Sequence, residues 1–481
     1  MIQLKNSTLF NLNNNISIPT YDRSKLSVGI VHIGIGNFHR SHQAYILDKY
    51  IQQTNSLDWG ICAIGLLPQD KSICERMELQ DCLYTLSEKK GDSTIDVSVI
   101  GSIVKCLHAP SETQKVFQQM SDEQTKLITL TITEGGYNYN ATTGEFIAEE
   151  PNIIWDIENP DYPKTIFGYI TKALDLRRKF SAGGLTIQSC DNIQHNGDLL
   201  KEMLLTYISL ALPDLKDWVI ENVSFPNSMV DRITPVTVKE DVDFLQQKFQ
   251  LDDLCPVVSE TFFQWVIEDN FKSQRPLLEI LGVEYVKNVS PYENMKLRLL
   301  NAGHSILGFL GKNAGHQYIH EAVKDQSICD SLMEFYNKEA IPNIPDFPKS
   351  KLDAYVQTLI SRFGNPNIKD SIDRILSESS AKIPKFLLPT INDQIIKGEN
   401  SDVSIVVLAS WYSYIENCKM SSDINDGMNI ILFEKVHDPY KKGPIEFLEI
   451  DSIFGNLASN ESFANQFIIA VSKLKKKSFK K

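Results

Sequence analysis

The sequence predicts an α/β fold in two parts, of which the second is mainly helical. Three observations carry that prediction. The β-branched run Ser27-Val28-Gly29-Ile30-Val31-His32-Ile33-Gly34 leads into a Gly34-Ile35-Gly36 turn and then a helix. Strand-like and helix-like stretches follow one another up to about residue 285. From about Pro291 strand-like runs become sparse and helical periodicity dominates.

In chain order, residues 1–25 are polar and rich in Asn and Ser, and read as a surface arm or an edge element. The strand at 27–34, with a helix over 41–53, makes the phosphate-binding corner of a Rossmann-type dinucleotide-binding domain. Gly34 permits the tight turn, and Gly36 lets the backbone approach a pyrophosphate. The helix start adds N–H donors and partial positive charge. His39 departs from the usual G-x-G-x-x-G, standing where the third glycine belongs. The next strand, 59–67, ends at Pro68-Gln69-Asp70. An acidic residue there suits an adenosine ribose hydroxyl and favours NAD over NADP. The spacing from Gly34 exceeds the usual ~20 residues, and a loop aspartate capping a helix is the plain alternative.

Further strands are expected at 96–104 and 125–133, the latter ending in Glu134-Gly135-Gly136-Tyr137. Paired glycines past a strand end mark a close backbone approach, and ligands of open α/β sheets bind at that edge. A helix at 165–179 and a strand at 184–190 follow, then the polar loop Asp191-Asn192-Ile193-Gln194-His195-Asn196-Gly197. Asn192 sits where an amide could contact substrate; alternatively Asp191 and Asn192 only cap the helix that follows. After a helix at 199–211, Asp231-Arg232 lies between Pro226 and Pro235, as a surface ion pair or as a polar pocket wall. The aromatics of 262–271 read as core. Helices are expected at 293–311, 315–338, 349–362, 367–378, 388–397, 401–417 and 458–474. The domains are taken as 1–287 and 288–481, with the boundary near 285–290.

Composition narrows the function classes. At 481 residues, two domains are the natural expectation. A net charge of −13 and a pI near 5.3 argue against nucleic acid or an anionic membrane as partner. The lysine-rich tail from Lys473 to Lys481 reads as a solvated, frayed end. The N-terminus lacks a signal-peptide pattern, and no apolar run reaches the ~18–20 residues of a membrane span. A cytoplasmic protein is expected. Eight scattered cysteines form no CxxC pair and the nine histidines show no zinc spacing, so no metal site is expected.

The stretch from Glu293 to His304 is the most informative. It reads as an uninterrupted helix, and at about 100° per residue Lys296, Asn301 and His304 fall within roughly a 140° sector. A lysine, an amide and an imidazole then share one side of a helix whose other side is apolar. The plain alternative is a solvated helix face.

Several stretches together resemble the polyol-specific long-chain dehydrogenases, the mannitol dehydrogenase and fructuronate reductase family. They are Gly34-Ile35-Gly36-Asn37-Phe38-His39-Arg40-Ser41-His42-Gln43-Ala44, Thr131-Ile132-Thr133-Glu134, Ser189-Cys190-Asp191-Asn192 with His195-Asn196-Gly197, and Phe225-Pro226-Asn227 with Met229 to Pro235. Gln264-Trp265-Val266-Ile267-Glu268-Asp269 and Lys296-Leu297-Arg298-Leu299-Leu300-Asn301 complete the set. Gly135 departs from the family, which often has lysine there. The resemblance implies metal-independent hydride transfer between NAD and a sugar alcohol or sugar acid. It implies Lys296 as acid/base, Asn192 and Asn301 polarising the reacting oxygen, and Asp231, His304 and Arg374 holding substrate hydroxyls. Gly34, Gly36, Phe38, His39, Arg40, Asp70 and Glu134 are assigned to the cofactor.

Without a metal to acidify the alcohol, a side chain must take its proton. Burial and a cationic nicotinamide both favour a neutral amine, so Lys296 is expected to have a lowered pKa. D-Mannitol/D-fructose interconversion is the leading expectation, by a monomer with neither nucleic acid nor membrane as partner. A hexuronate reductase, with Arg374 or Arg232 on the carboxylate, and a non-catalytic NAD-binding protein remain as alternatives.

Overall fold

The computed structural model describes residues 1–140, 143–438 and 443–478, in two compact units, Met1–Ser290 and Pro291–Lys481. Unit 1 is built on a six-stranded sheet. Its strands are β1 (Val28–Ile33), β2 (Gly60–Gly65), β3 (Ile103–His108), β4 (Leu127–Leu130), β5 (Leu185–Ser189) and β6 (Val223–Ser224). All neighbours are parallel and the order across the sheet is 3-2-1-4-5-6. That is the doubly wound order of a Rossmann fold, with its switch point between β1 and β4.

The sequence dictates this burial. Along β1, Ile30 faces one core while Val31 and Ile33 face another; along β2, Ile61 and Ala63 oppose Cys62 and Ile64. Strands apolar on both faces suit a parallel sheet covered on both sides. The arm at 1–25 is an edge element: Ile2–Gln3 pairs with Leu251–Asp252, and Ile16–Ser17 borders a four-stranded sheet with Ile95–Ile100, Tyr84–Lys89 and Val257–Glu260. Ser228–Asp231, Gln264–Glu268 and Glu284–Val286 form a third small sheet.

Several boundaries differ from expectation. The strand read at 96–104 is two strands, Ile95–Ile100 and β3, broken at Gly101-Ser102 and belonging to different sheets. The helix after the glycine turn begins as α1 (Asn37–Ser41), breaks at His42 and resumes as α2 (Gln43–Thr54).

Unit 2 is helical. α4 (Ser290–Lys296), numbered after α3 (Asn196–Ala211) of unit 1, runs into a π-helical turn at Leu297–Asn301 and on into α5 (Ala302–Ala314). The helix read at 315–338 is instead Ile319–Ala322, Gln326–Glu334 and a second π segment, Phe335–Ala340. The helix read at 367–378 shrinks to α6 (Ile372–Leu376), with Ser379–Phe386 after it. The unit's core gathers Phe309, Trp411, Tyr412, Phe447, Phe454 and Phe467, with ring centroids 5.1 to 6.2 Å apart. The lysine tail is not frayed where it is described: the last helix runs Glu461–Ser478, and Lys475 pairs with Glu416 at 2.7 Å. Lys480 and Lys481 lie outside the described residues.

Candidate functional site

In unit 1 the candidate residues gather at the carboxyl ends of β1, β2, β4 and β5. Gly34 has φ +106°, and a Cβ there would fall on the Thr131 carbonyl just past β4. Only glycine closes this turn without strain. Gly36 differs: a Cβ placed on it meets nothing within 4 Å. The backbone is therefore open at the point where a pyrophosphate must approach, which fits a dinucleotide.

His39 replaces the third glycine by a packing solution. Its ring, 1% exposed, stacks on His32 with centroids 3.3 Å apart and planes at 10°. His32 Nδ1 lies 2.7 Å from Thr129 Oγ1, and Nε2 lies 3.0 Å from the Gly34 carbonyl. Burial drives the pKa of His32 down to about 3 and that of His39 well below the usual imidazole value, so both are neutral. Arg40 is also buried: it donates to the Cys255 carbonyl and to Asn37 Oδ1, and lies over Tyr84. His39 and Arg40 are thus both buried beneath the turn, His39 by its ring stack and Arg40 by its bonds to Cys255 and Asn37. Phe38, half-buried, stacks on His42 at 5.0 Å. Asp70 sits past the end of β2, where one carboxylate oxygen accepts the Leu67 N–H at 2.9 Å. Exposed Glu134, past β4, accepts the Tyr139 hydroxyl at 2.7 Å. Its neighbour Thr133 has φ +62°, a strained backbone at the switch-point edge.

The loop after β5 is fixed by two buried residues. Asp191 accepts the N–H groups of Ile132 and Thr133 and the Tyr137 hydroxyl at 3.0, 2.8 and 2.7 Å. Burial raises its pKa despite those bonds. Asn196 donates to the carbonyls of Asp191 and Ser228 and accepts the Ser228 N–H. It ties the loop carrying exposed Asn192 to the strand that ends in buried Asp231. The capping alternative fails, because the α3 N–H groups of Gly197 and Asp198 are taken by Asn227 Oδ1 at 2.8 and 3.0 Å. The surface-pair reading of Asp231-Arg232 also fails. Both residues are 4% exposed, and Arg232 bonds Glu88, the Ser41 carbonyl and the Glu260 carbonyl. Arg232 is therefore committed within unit 1 and is unsuited to a substrate carboxylate.

In unit 2, Lys296 closes α4, is 6% exposed and directly precedes the π turn. Ala302 N–H reaches back to the Leu297 carbonyl, a five-residue step. In a regular α-helix Asn301 would lie about 140° round from Lys296. A turn closing i→i+5 spends one more residue per turn, so residue 301 returns toward the azimuth of residue 296. Asn301 Oδ1 is buried without a hydrogen-bond partner among the described residues. A buried amide oxygen left so is costly unless a ligand uses the site.

His304 and Arg374, far apart in sequence, meet at Asp370, which sequence reasoning missed. Arg374 donates from Nε and Nη2 to Asp370 Oδ1 at 2.8 and 2.6 Å. Asp370 Oδ2 lies 3.6 Å from His304 Nε2, and the imidazole packs on Phe363 at 4.6 Å. Lys382, also missed, donates to the Ile375 carbonyl at 3.1 Å; burial, and secondarily Arg374, lower its pKa. The signal for Asp370 was available as an i,i+4 Asp–Arg pair, but nothing local tied it to His304.

The sheet order and the open turn at its switch point define a dinucleotide-binding protein of the Rossmann type, continued by a helical unit with a buried lysine and amide on one helix. Residues 28–280 match the mannitol dehydrogenase Rossmann domain and residues 288–475 the mannitol dehydrogenase C-terminal domain. The chain belongs to the mannitol dehydrogenase family. It is 38% identical to mannitol dehydrogenase 2 of Saccharomyces cerevisiae, over 96% of this chain and 93% of that one. It is 38% identical to a mannitol 2-dehydrogenase of Phaeosphaeria nodorum, over 92% and 78%. Among solved structures, the Pseudomonas fluorescens mannitol 2-dehydrogenase ternary complex with NAD and D-mannitol superposes with a TM-score of 0.86. It shares 35% identity, over 98% of this chain and 97% of that one. A substrate-free D-sorbitol dehydrogenase gives 0.89 at 32% identity, over 99% of both chains.

Proposed function

We propose that the chain is an NAD-dependent polyol dehydrogenase that interconverts D-mannitol and D-fructose without a metal. Residues 1–287 serve as the nucleotide domain and 288–481 as the substrate domain. The observation that carries this reading is buried Lys296, followed by a π turn that swings Asn301 back toward its face of the helix. The relatives named mannitol 2-dehydrogenase, and the one solved with NAD and D-mannitol, support it.

NAD, when bound, accepts the hydride from the carbinol carbon. Lys296 as the free amine takes the hydroxyl proton in oxidation, and as the ammonium returns it in reduction. Asn192 and Asn301 hydrogen-bond the oxygen as it gains negative charge, and do so without titrating. Asp231, His304 and Arg374 hold the remaining hydroxyls. Gly34 and Gly36 shape the backbone at the pyrophosphate, with Phe38, His39, Arg40 and Glu134 around that turn. Asp70 takes the adenosine ribose. A hydroxyl-rich neutral substrate suits the Arg374–Asp370 pair, whose charges offset one another, better than a hexuronate does. The same reading expects a monomer, checked by light scattering, in the cytoplasm, checked by fractionation.

The deciding experiment is NAD reduction with mannitol, arabitol, sorbitol and mannonate, for wild type and Lys296→Ala. Wild type should favour mannitol, and the variant should lose roughly 10²- to 10⁴-fold in kcat. Near-wild-type turnover by Lys296→Ala rules the lysine out as base, and preference for mannonate moves the reading to hexonate oxidation. Treatment with a chelator should leave the wild-type rate unchanged.

A further inference from the structure

The π turn at Leu297–Asn301 is an irregularity that something must hold open, since the same residues could close into a regular helix. Tyr336 fills that role geometrically. It lies in the second π segment, Phe335–Ala340, and its hydroxyl donates 2.8 Å to the Leu299 carbonyl, in the middle of the first. Its side chain is fully buried. The Tyr336 hydroxyl stands where a side chain on residue 303 would be: a Cβ on Gly303 would fall on that oxygen, well inside contact distance. Gly303 therefore opens the gap through which the tyrosine reaches the turn. The segment carrying Tyr336 is itself anchored. Glu339 accepts the Val403 and Ser404 N–H groups at 2.7 and 3.2 Å, and the Ser404 hydroxyl as well.

We propose that the Tyr336 hydroxyl is a positioning group: by holding the Leu299 carbonyl it keeps the 297–301 turn wide, and so keeps Asn301 on the Lys296 side of the helix. The inference rests on the proposed polyol chemistry, because it takes Lys296 and Asn301 as partners on one reacting oxygen. Tyr336 touches neither substrate nor cofactor in this role. Its loss acts through Asn301, in the transition state, where the developing oxyanion needs the amide.

The test is Tyr336→Phe, Gly303→Ala and the double variant, assayed with D-mannitol and NAD. Tyr336→Phe keeps the ring and removes only the hydroxyl. Its kcat should fall about 10- to 100-fold, the scale of a sub-ångström to ångström misplacement. KM for mannitol and for NAD should stay within about twofold, because the lost interaction belongs to the transition state. Gly303→Ala should show the same fall, because its methyl displaces the hydroxyl. The double variant should fall no further: without the hydroxyl, the new methyl meets Tyr336 Cζ at 3.2 Å and Leu332 Cδ1 at 3.5 Å. Thermal unfolding of the three variants gives the parallel reading, with the Gly303→Ala penalty reduced in the Tyr336→Phe background. A wild-type kcat in folded Tyr336→Phe overturns the proposal, as do fully additive losses in the double variant. If the wild type turns over none of the polyols, the functional reading fails instead, and the unfolding cycle still decides whether Tyr336 and Gly303 share that contact.

Discussion

In unit 1 the candidate residues hang from the carboxyl ends of a parallel sheet; in unit 2 they lie along one helix and the segments packed on it. The two arrangements are held by different means. At its glycine turn and switch-point edge, unit 1 relies on backbone geometry, with Gly34 at φ +106° and Thr133 at φ +62°, above a neutral histidine stack. Unit 2 relies on side chains, most of them distant in sequence. Tyr336 reaches Leu299, Asp370 reaches Arg374 and His304, and Glu339 caps the helix that begins at Asp402. A backbone device tolerates one residue type, whereas a side-chain prop can be removed atom by atom.

The sharpest test of that contrast is a pair of glycine substitutions. Gly34→Ala combines a left-handed backbone with a collision on the Thr131 carbonyl, and should cost roughly 2–5 kcal/mol in denaturant unfolding. Gly36→Ala, with open space around it, should unfold within about 0.5 kcal/mol of wild type yet weaken NAD binding measured by fluorescence titration. Equal costs at the two positions would show that the turn is not held as described.

The histidine stack of unit 1 and Glu339 of unit 2 should also contribute to the pH dependence of stability with opposite sign. His32 and His39 are neutral when folded but take up protons near pH 6.5 when unfolded. Their contribution to the stability of unit 1 is therefore lost as pH falls below 6.5, down to about 3 for His32, at up to about 1.4 kcal/mol per pH unit for each histidine. Burial pushes the Glu339 carboxyl up to about 6, above its ordinary value. Folded unit 2 binds that proton more tightly than the unfolded chain does. Its contribution is present below about 4.5 and is lost as pH rises through 6, by about 2 kcal/mol. Hydrogen exchange followed by mass spectrometry between pH 4.5 and 7 resolves the two units by peptide. Glu339→Gln should flatten the slope in unit 2 and leave unit 1 unchanged.

Smaller effects follow at the edges of each set. Asp70→Ala should reduce the NAD-over-NADP preference by about tenfold, a single charged hydrogen bond to the ribose; an unchanged ratio of kcat/KM values removes Asp70 from that role. Asp370→Asn should raise KM for the polyol a few-fold with kcat nearly kept, because it loosens His304 and Arg374 rather than the reacting groups. A fall in kcat alone would instead place Asp370 at the chemistry.

The same contrast explains what could be read in advance. The turn after β1, the helix at Ile166–Phe180 and the edge role of the arm were legible, because glycine spacing and apolar periodicity are local signals. The split at Gly101-Ser102 was not, since a glycine inside a strand-like stretch marks an irregularity but not that the two halves join different sheets. His39 read as a blemish in a glycine pattern, and only its stack on His32 shows how the turn does without the third glycine. Lys296 and Asn301 were legible as residues on one helix, but under the wrong geometry, because a π turn leaves no mark in residue type.

By itself, then, the sequence determined the doubly wound nucleotide fold, the helical character of the second unit and the candidate residues for the proposed chemistry. These follow from periodicity, glycine placement and side-chain type. Only the tertiary structure decided that Asn227 and not Asp191 caps α3, that Arg232 is committed to Glu88, and that Tyr336 and Asp370 set the posture of Asn301, His304 and Arg374. Each of those is a contact between residues dozens of positions or more apart in the chain, or depends on one. Such contacts are made by packing, and packing leaves no local pattern to read.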